Sequence, residues 1–90
     1  MIKAWHERAW DEYVYWQKQD KKTLKKINTL IRDIERSGYS CIGKPEPLKN
    51  ELSGWWSAEI DGKNRLIFKI SGSDAPKSVD ILSCKGHYGD

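Results

Sequence analysis

The 90-residue sequence has little of what marks several large classes of protein. Its two cysteines, Cys41 and Cys84, lie far apart and form no pattern typical of a secreted disulfide framework. No apolar run approaches the roughly 20 residues of a transmembrane helix, and the first residues have no apolar signal-peptide core. We therefore expect a cytoplasmic protein with reduced thiols and no membrane partner.

Motifs for the common enzyme chemistries are also missing. The sequence has no glycine-rich phosphate loop, no dinucleotide fingerprint and no Ser-His-Asp order. Cys84 and His87 have C-x-x-H spacing, but a structural zinc site usually needs four ligands, and His6 and Cys41 would have to come from distant positions. We expect no metal and no other cofactor, and we interpret Cys84 as a small buried strand residue.

The overall charge is mildly basic, with a formal net charge of +3 and a sequence pI near 8.9. Such a balance permits an anionic partner without requiring one. The length is enough for one domain, residues 1–90, with a small core to which the five tryptophans contribute.

Hydrophobic periodicity predicts a short strand over residues 2–5 and then two helices joined by a short connection at residues 17–20. The first helix is expected over residues 6–18, and its apolar stripe consists of Ala9, Trp10, Tyr13 and Trp16. Asp20 is the expected N-cap of the second helix, which ends at Ser37 and Gly38. The outer face of that helix is basic, and it is either a solvated surface or a phosphate-contacting stripe. Its residues are Lys22, Lys25, Lys26, Arg32 and Arg36.

The second half of the sequence predicts a β-meander. Asp61-Gly62-Lys63 is a strong hairpin signal between strands at 55–60 and 64–71, and a turn at 72–76 precedes a third strand at 77–84. In that third strand, alternation places Val79, Ile81 and Ser83 on one face and Asp80, Leu82 and Cys84 on the other. The predicted fold class is α+β, with two N-terminal helices packed on one face of an antiparallel sheet. The other face is then left for Arg65, the C-terminal segment and the long loop at 39–52.

That loop holds a carboxylate in a constrained place. Glu46 lies between Pro45 and Pro47, which restricts its backbone to an extended conformation. Lys44 and Lys49 flank it and are expected to keep it ionised at neutral pH.

Glu46, Lys49, Arg65, His87 and Tyr88 together contain the groups for metal-independent RNA cleavage. A base removes the 2′-hydroxyl proton, cations stabilise the phosphoryl oxygens and an acid protonates the leaving 5′-oxygen. Spacing by itself leaves other carboxylates open as the base, and it leaves Trp55 and Trp56 open as core packing or as base-stacking residues. The other carboxylates are Glu51, Glu59 and Asp61.

Several segments resemble the YoeB toxins of bacterial type II toxin–antitoxin systems, within the RelE-like superfamily. They are residues 10–17, 25–28, 43–49, 52–57, 65–66 and 87–88, of which the Gly-Lys-Pro-Glu-Pro-Leu-Lys and Leu-Ser-Gly-Trp-Trp-Ser blocks are the most specific. The resemblance implies a microbial-RNase-like fold and a ribosome-dependent endoribonuclease that cuts mRNA in the ribosomal A site and inhibits translation.

The resemblance also implies residue roles. Glu46 is the expected general base, Arg65 the phosphate stabiliser and His87 the general acid, while Tyr88 orients or stacks. Lys49 is expected to support the phosphate, and Lys44 and Trp55 complete the substrate-binding set. Such a mechanism predicts a bell-shaped rate–pH profile and a 2′,3′-cyclic phosphate product. Gly89 and Asp90 depart from the family pattern, because they place a carboxylate after the His-Tyr pair.

The implied partners are ribosome-bound mRNA with nearby ribosomal RNA, and a YefM-type antitoxin of the Phd family whose C-terminal segment wraps the toxin. Operator DNA is expected as a partner only through the antitoxin complex, and such toxins are often homodimers. Two alternatives stay open at this stage. One is a binding module that holds RNA or antitoxin for operon autoregulation without cutting, and the other is a ribosome-independent RNase.

Overall fold

One five-stranded sheet organises the chain, and two helices pack on one of its faces. The computed structural model describes residues 1–73 and 77–87. The strands are β1 (Ile2–Trp5), β2 (Glu46–Pro47), β3 (Trp56–Glu59), β4 (Arg65–Ser71) and β5 (Ser78–Ser83), and the helices are α1 (Glu7–Gln19) and α2 (Lys21–Ser37). Short 3-10 turns cover Gly38–Ser40 and Asn50–Leu52.

The strand order in the sheet is β1-β5-β4-β3-β2. All neighbouring strands are antiparallel except β1 and β5, which are parallel. The predicted α+β class with helices on one face is confirmed, while the sheet is mixed and not wholly antiparallel. The chain enters β1 and returns to β5 only after both helices and the meander, so β1 lies parallel beside the last strand.

The sequence predicts the helices well, whereas it predicts the connections between elements less well. Asp20 caps α2 as predicted, since its carboxylate accepts hydrogen bonds from the backbone N–H groups of Lys22 and Thr23. The predicted connection at 17–20 is too long, because α1 continues to Gln19 and Asp20 alone separates the helices. The predicted loop at 39–52 contains the two-residue strand β2, which is too short to show periodicity.

The core lies between the helices and the sheet. From the helices it takes Ala9, Trp16, Ile27, Leu30, Ile31 and Ile34, and from the strands Ala58, Leu66, Phe68, Val79 and Ile81. Trp10 is an exception to the predicted stripe, since 48% of its side chain is exposed. Successive residues of a helix are rotated by about 100°, so the Trp10 side chain points away from the direction of the buried Ala9 beside it.

A bulge in β5 changes the faces that alternation predicts. Phe68 pairs with Ile81, but its neighbour Ile67 pairs with Ser83, so the register passes over Leu82. Residues directly opposite one another share a face, so Ser83 joins Ile67 on the face away from the helices. The prediction that Ser83 shares a face with Val79 and Ile81 is therefore wrong.

The same bulge turns Cys84 towards the helices, whereas alternation had placed it with Asp80 and Leu82. Cys84 is fully buried in the core, as the interpretation of it as a small buried residue expected. Its backbone carbonyl accepts a hydrogen bond from Trp16 Nε1, and its N–H donates to the Glu12 carboxylate. The end of β5 is thus attached to α1 immediately before the C-terminal segment.

Within residues 1–73 and 77–87, no helix is both long and apolar enough to cross a bilayer.

The two thiols are free and buried, and we predict that they react very slowly in the folded protein. Burial, with a smaller effect of the Glu12 charge, raises the pKa of the Cys84 thiol to about 12. Burial and the Asp33 charge raise the pKa of Cys41 as well. Because the thiolate is the nucleophile, ionisation alone should slow Cys84 at pH 8 by roughly three orders of magnitude relative to an ordinary cysteine.

Reaction with a chromogenic disulfide reagent in Cys41→Ser, with and without urea, measures Cys84 separately. Rapid reaction of Cys84 in the folded variant would contradict its placement in the core.

Candidate active site

The sheet face away from the helices brings together residues that are distant in the sequence. Glu46 on β2 is opposite Ser57, and Ser57 is in turn opposite Ile67 on β4. Glu46 and Ile67 therefore share a face, and Arg65 shares it because alternate residues of a strand point the same way. Arg65 Nη1 lies 4.0 Å from Glu46 Oε1.

Glu46 is the more open member of this pair. Its side chain is 68% exposed, whereas that of Arg65 is 24% exposed. Glu46 is accessible from solvent on the edge strand, and the Arg65 guanidinium lies deeper in the face. The arrangement presents a carboxylate and a cation side by side to a ligand that approaches from outside.

The loop before Glu46 is held at its base by backbone contacts. The Gly43 carbonyl accepts a 2.7 Å hydrogen bond from the Glu59 N–H. Gly43 has φ of +89°, and a Cβ at this position would lie 3.0 Å from the Glu59 carbonyl oxygen. Only glycine meets both conditions without strain, so Gly43 sets the direction in which the chain runs towards Glu46.

A buried carboxylate supports the same loop from the helix side. Asp33 on α2 pairs with Arg36 and accepts a 2.7 Å hydrogen bond from the Ile42 N–H. The bond to Arg36 and then that to Ile42 hold the pKa of Asp33 below its usual range. Asp33 therefore stays charged and anchors the loop, a role that the helical pattern did not reveal.

The C-terminal segment reaches the site through Arg65 itself. The Arg65 N–H donates a 3.0 Å hydrogen bond to the Gly86 carbonyl, and the Gly86 N–H donates to Asn64 Oδ1 at 2.9 Å. His87 follows directly and is exposed. The predicted acid thus lies one residue along the chain from a group bonded to Arg65. Tyr88, the other member of the predicted pair, lies outside the described residues.

Asp61 helps to hold this junction. Its carboxylate accepts hydrogen bonds from the N–H groups of Lys63 and Asn64 and from the Asn64 side-chain amide. Burial alone would raise the pKa of Asp61, but these hydrogen bonds outweigh it and lower the pKa. Asp61 and Asn64 are positioning residues that the sequence reasoning missed, although an Asp followed by Gly at a turn is the usual signal for such bonding.

The other carboxylates that spacing left open are now distinguished. Asp61 is occupied by its turn, and Glu51 is exposed on the 3-10 turn at Asn50–Leu52. Glu59 is opposite Arg65 in the register and is exposed. Among the carboxylates that the structure describes, Glu46 is the one that lies within 4.0 Å of the Arg65 guanidinium.

The predicted substrate-binding lysines flank Glu46 in exposed positions. Lys44 has a positive φ of 50°, and Lys49 precedes the 3-10 turn that follows β2. Both side chains are open to solvent beside the edge of the sheet. They make this edge basic around the carboxylate.

The two adjacent tryptophans have different surroundings. Trp56 stacks on Tyr39 with centroids 4.4 Å apart and pairs with Phe68 in the helix-facing layer, so it is a packing residue. Trp55 precedes β3 and lies on the opposite, site-bearing face, half-buried. The Lys69 ammonium lies 4.6 Å from the Trp55 ring centroid. Trp55 is therefore the tryptophan of the pair that shares a face with Glu46 and Arg65.

Metal-ligating side chains do not cluster in the described part of the chain, where no group of three or more His, Cys, Asp or Glu could hold an ion. The Cys84 thiol in particular faces the core.

Comparison with known proteins places the chain in a family. Residues 5–88 match the family described as YoeB-like toxin of bacterial type II toxin–antitoxin system. The Toxin YoeB of Escherichia coli K12 is 45% identical over 84 residues, which cover 93% of this chain and 95% of that protein. The chain therefore belongs to the YoeB-like toxins of type II toxin–antitoxin systems.

Solved structures agree with this assignment. A YoeB/ParE toxin from Agrobacterium tumefaciens superposes with a TM-score of 0.94 at 38% identity, covering 98% of this chain and all of that one. Two Staphylococcus aureus structures, a heterotetrameric YoeB–YefM complex and a YoeB dimer, give TM-scores of 0.86 and 0.87. Both are 38% identical, with 98% of each chain covered.

We predict that Gly43→Ala destabilises the protein more than Gly54→Ala. Both glycines have positive φ, of +89° and +95°, so both variants incur backbone strain of about 1–3 kcal/mol. A Cβ at Gly54 meets nothing within 4 Å, whereas at Gly43 it meets Glu59 and Leu30. Urea unfolding measures the difference, and equal losses of stability would show that the loop base tolerates a side chain.

Proposed function

We propose that this toxin is a ribosome-dependent mRNA endoribonuclease that cleaves in the ribosomal A site. The observation that carries the proposal is the pairing of Glu46 with Arg65 on the sheet face away from the helices, at the point where the C-terminal segment delivers His87. Three groups of the chemical types needed for metal-independent RNA cleavage thus come from three distant parts of the chain.

In the proposed reaction, the Glu46 carboxylate takes the proton of the substrate's 2′-hydroxyl. The 2′-oxygen then attacks the adjacent phosphorus, and the bond from phosphorus to the 5′-oxygen breaks. The protonated imidazole of His87 gives its proton to that departing oxygen. The products are a 2′,3′-cyclic phosphate and a 5′-hydroxyl, with no water consumed in the step.

Arg65 is proposed to stabilise the charge that grows on the phosphoryl oxygens. Its partial burial supports this role, because a fixed cation in a partly dry site interacts more strongly than one in water. Lys49 and Lys44 are proposed to attract and hold the phosphate backbone beside Glu46, and Tyr88 to orient His87 or stack on a base. The two prolines and the loop base are proposed to hold the Glu46 carboxylate in position for the reaction.

The basic face of α2 is the proposed contact with ribosomal RNA. Lys22, Lys25 and Lys26 are exposed, whereas Arg36 is engaged with Asp33 and contributes to the loop instead. Lys22, Lys25 and Lys26 thus present three exposed positive charges on one side of α2.

The proposed cellular partner is a YefM-type antitoxin. The S. aureus YoeB–YefM complex has a toxin of nearly the same fold, which supports a similar assembly here. The S. aureus YoeB dimer supports a homodimer of this chain in the same way. Operator DNA would be contacted only through the antitoxin in such an assembly.

We predict that Glu46→Gln and His87→Ala each slow cleavage by about 10²–10⁴-fold, the usual contribution of a general base or acid. Arg65→Ala should cost about 10²–10³-fold, as for other lost stabilisers of transition-state charge. Glu51→Gln is the matched control, since it neutralises an exposed carboxylate near Glu46. Primer extension on translated mRNA, with and without ribosomes, maps the cuts, and mass spectrometry identifies the new ends.

The outcomes of this test separate the alternatives. Full cleavage by both Glu46→Gln and His87→Ala would exclude the assigned acid–base pair. A 3′-hydroxyl end or a strict Mg²⁺ requirement would exclude the mechanism, and equal cutting of free RNA would exclude the ribosome requirement. Antitoxin binding without any cutting by the intact chain would point to the binding-module function.

We predict that reversing Lys22, Lys25 and Lys26 to Glu weakens ribosome binding and reduces its salt dependence. Each lost phosphate contact should lower the slope of log K against log salt by roughly 0.7–0.9, the range for single strands and duplex DNA. Lys18→Glu with Lys77→Glu is the control, because both lysines are exposed and neither belongs to the basic face of α2. Sedimentation at several salt concentrations measures ribosome binding by each variant. An unchanged slope would show that the basic face of α2 is an ordinary solvated surface.

A further inference from the structure

A second cluster lies on the same sheet face as Glu46 and Arg65, and the proposed reaction does not use most of it. It consists of His6, Trp55 and Lys69, which come from three separate elements. His6 follows β1 and caps α1, Trp55 precedes β3, and Lys69 lies within β4.

The register explains why these residues meet. Lys69 is opposite Asp80, and Asp80 is opposite Ala4 on β1, so all three point away from the helices. His6 lies two residues beyond Ala4, which brings its ring round to the same side of the sheet. Its ring centroid is 5.4 Å from that of Trp55, with the planes at 78°.

The Lys69 ammonium is held in place. It lies 4.6 Å from the centre of the Trp55 ring, within the range of a cation–π interaction. Both oxygens of the neighbouring Asp80 carboxylate accept hydrogen bonds from serine hydroxyls, those of Ser71 and Ser78. The two serines hold the Asp80 carboxylate in place on the strand beside Lys69.

Lys69 of the cluster lies on the same strand as Arg65 of the proposed cleavage site. Arg65 and Lys69 are four residues apart on β4 and on the same face, so their Cα atoms are separated by roughly 13 Å. This separation leaves room for the two cations to bind different phosphates of the same strand. Trp55 connects the cluster to the segment that carries Glu46, since its carbonyl accepts a hydrogen bond from the N–H of Leu48, the residue after β2.

We propose that His6, Trp55 and Lys69 form a subsite for a nucleotide next to the cleaved one. Lys69 binds the backbone phosphate of that nucleotide, and the Trp55–His6 pair is the aromatic surface on which its base stacks. A cation combined with an aromatic platform is the general means of holding single-stranded RNA without reading its sequence. This inference rests on the proposed function and extends it from the scissile phosphate to its neighbour.

The test uses cleavage-resistant RNA, a dinucleotide with a 2′-O-methyl group at the attacking position and oligomers lengthened from it one nucleotide at a time in each direction. Binding is followed by NMR through the tryptophan indole N–H signals, with the Trp55 signal assigned by Trp55→Phe. Wild-type protein, Lys69→Gln, Lys69→Arg, Arg65→Ala and the surface control Lys18→Gln are compared at several salt concentrations.

We expect one lengthening step to shift the Trp55 indole signal and to raise the affinity of the wild-type protein by about fivefold or more. Lys69→Gln should lose that gain and lower the salt slope by about 0.7, the value for one phosphate of a single strand. Lys69→Arg should restore both, which separates loss of charge from loss of folding, and Lys18→Gln should behave as the wild type.

If Lys69→Gln keeps the gain and the salt slope while Arg65→Ala weakens the dinucleotide, the subsite is wrong and the cleavage site stands. If Arg65→Ala binds every oligomer as the wild type does, the proposed cleavage site is wrong, and the subsite is wrong with it.

Discussion

The hydrogen bond between the Arg65 N–H and the Gly86 carbonyl joins the two halves of the candidate site. Arg65 begins β4, the strand in the middle of the sheet, and Gly86 immediately precedes His87. This bond helps to fix the position of the C-terminal segment relative to the Glu46–Arg65 pair. The bond is itself supported by Asn64 and, through Asn64, by the Asp61 turn. Hydrogen bonds through Asp61, Asn64 and Gly86 thus attach the segment that carries the proposed general acid to the hairpin.

The two faces of the sheet carry different kinds of residue. The helix-facing side takes most of the large buried apolar residues and Trp56, and this packing stabilises the small domain. The opposite face carries the half-buried Trp55 and the charged side chains of Glu46, Arg65 and Lys69, whose charges would be costly to bury. The bulge at Leu82 allows both arrangements, because it returns Cys84 to the core while Ser83 joins the other face. Stability and the proposed RNA chemistry therefore use different sides of the same strands.

The anchoring of the Glu46 loop shows why function in this fold depends on residues that make no contact with substrate. Gly43 allows the chain to pass against Glu59, and Asp33 holds Ile42 from the helix layer. Both act on the backbone a few residues before Glu46. They convert a proline-stiffened segment, which is locally rigid but free to pivot, into one with a defined direction.

Local patterns in the sequence determined the helices, the Asp20 cap, the hairpin at Asp61 and the types of residue in the candidate site. These features depend on neighbours within a few positions, where periodicity and turn chemistry are strong. The tertiary structure alone decided the parallel pairing of β1 with β5, the bulge at Leu82, the short strand β2 and the meeting of Lys69 with Trp55 and His6. The placement of Glu46 within 4.0 Å of the Arg65 guanidinium is likewise a tertiary feature. Each of these depends on contacts between residues far apart in the chain, and linear spacing carries no information about which of them will lie within reach of one another.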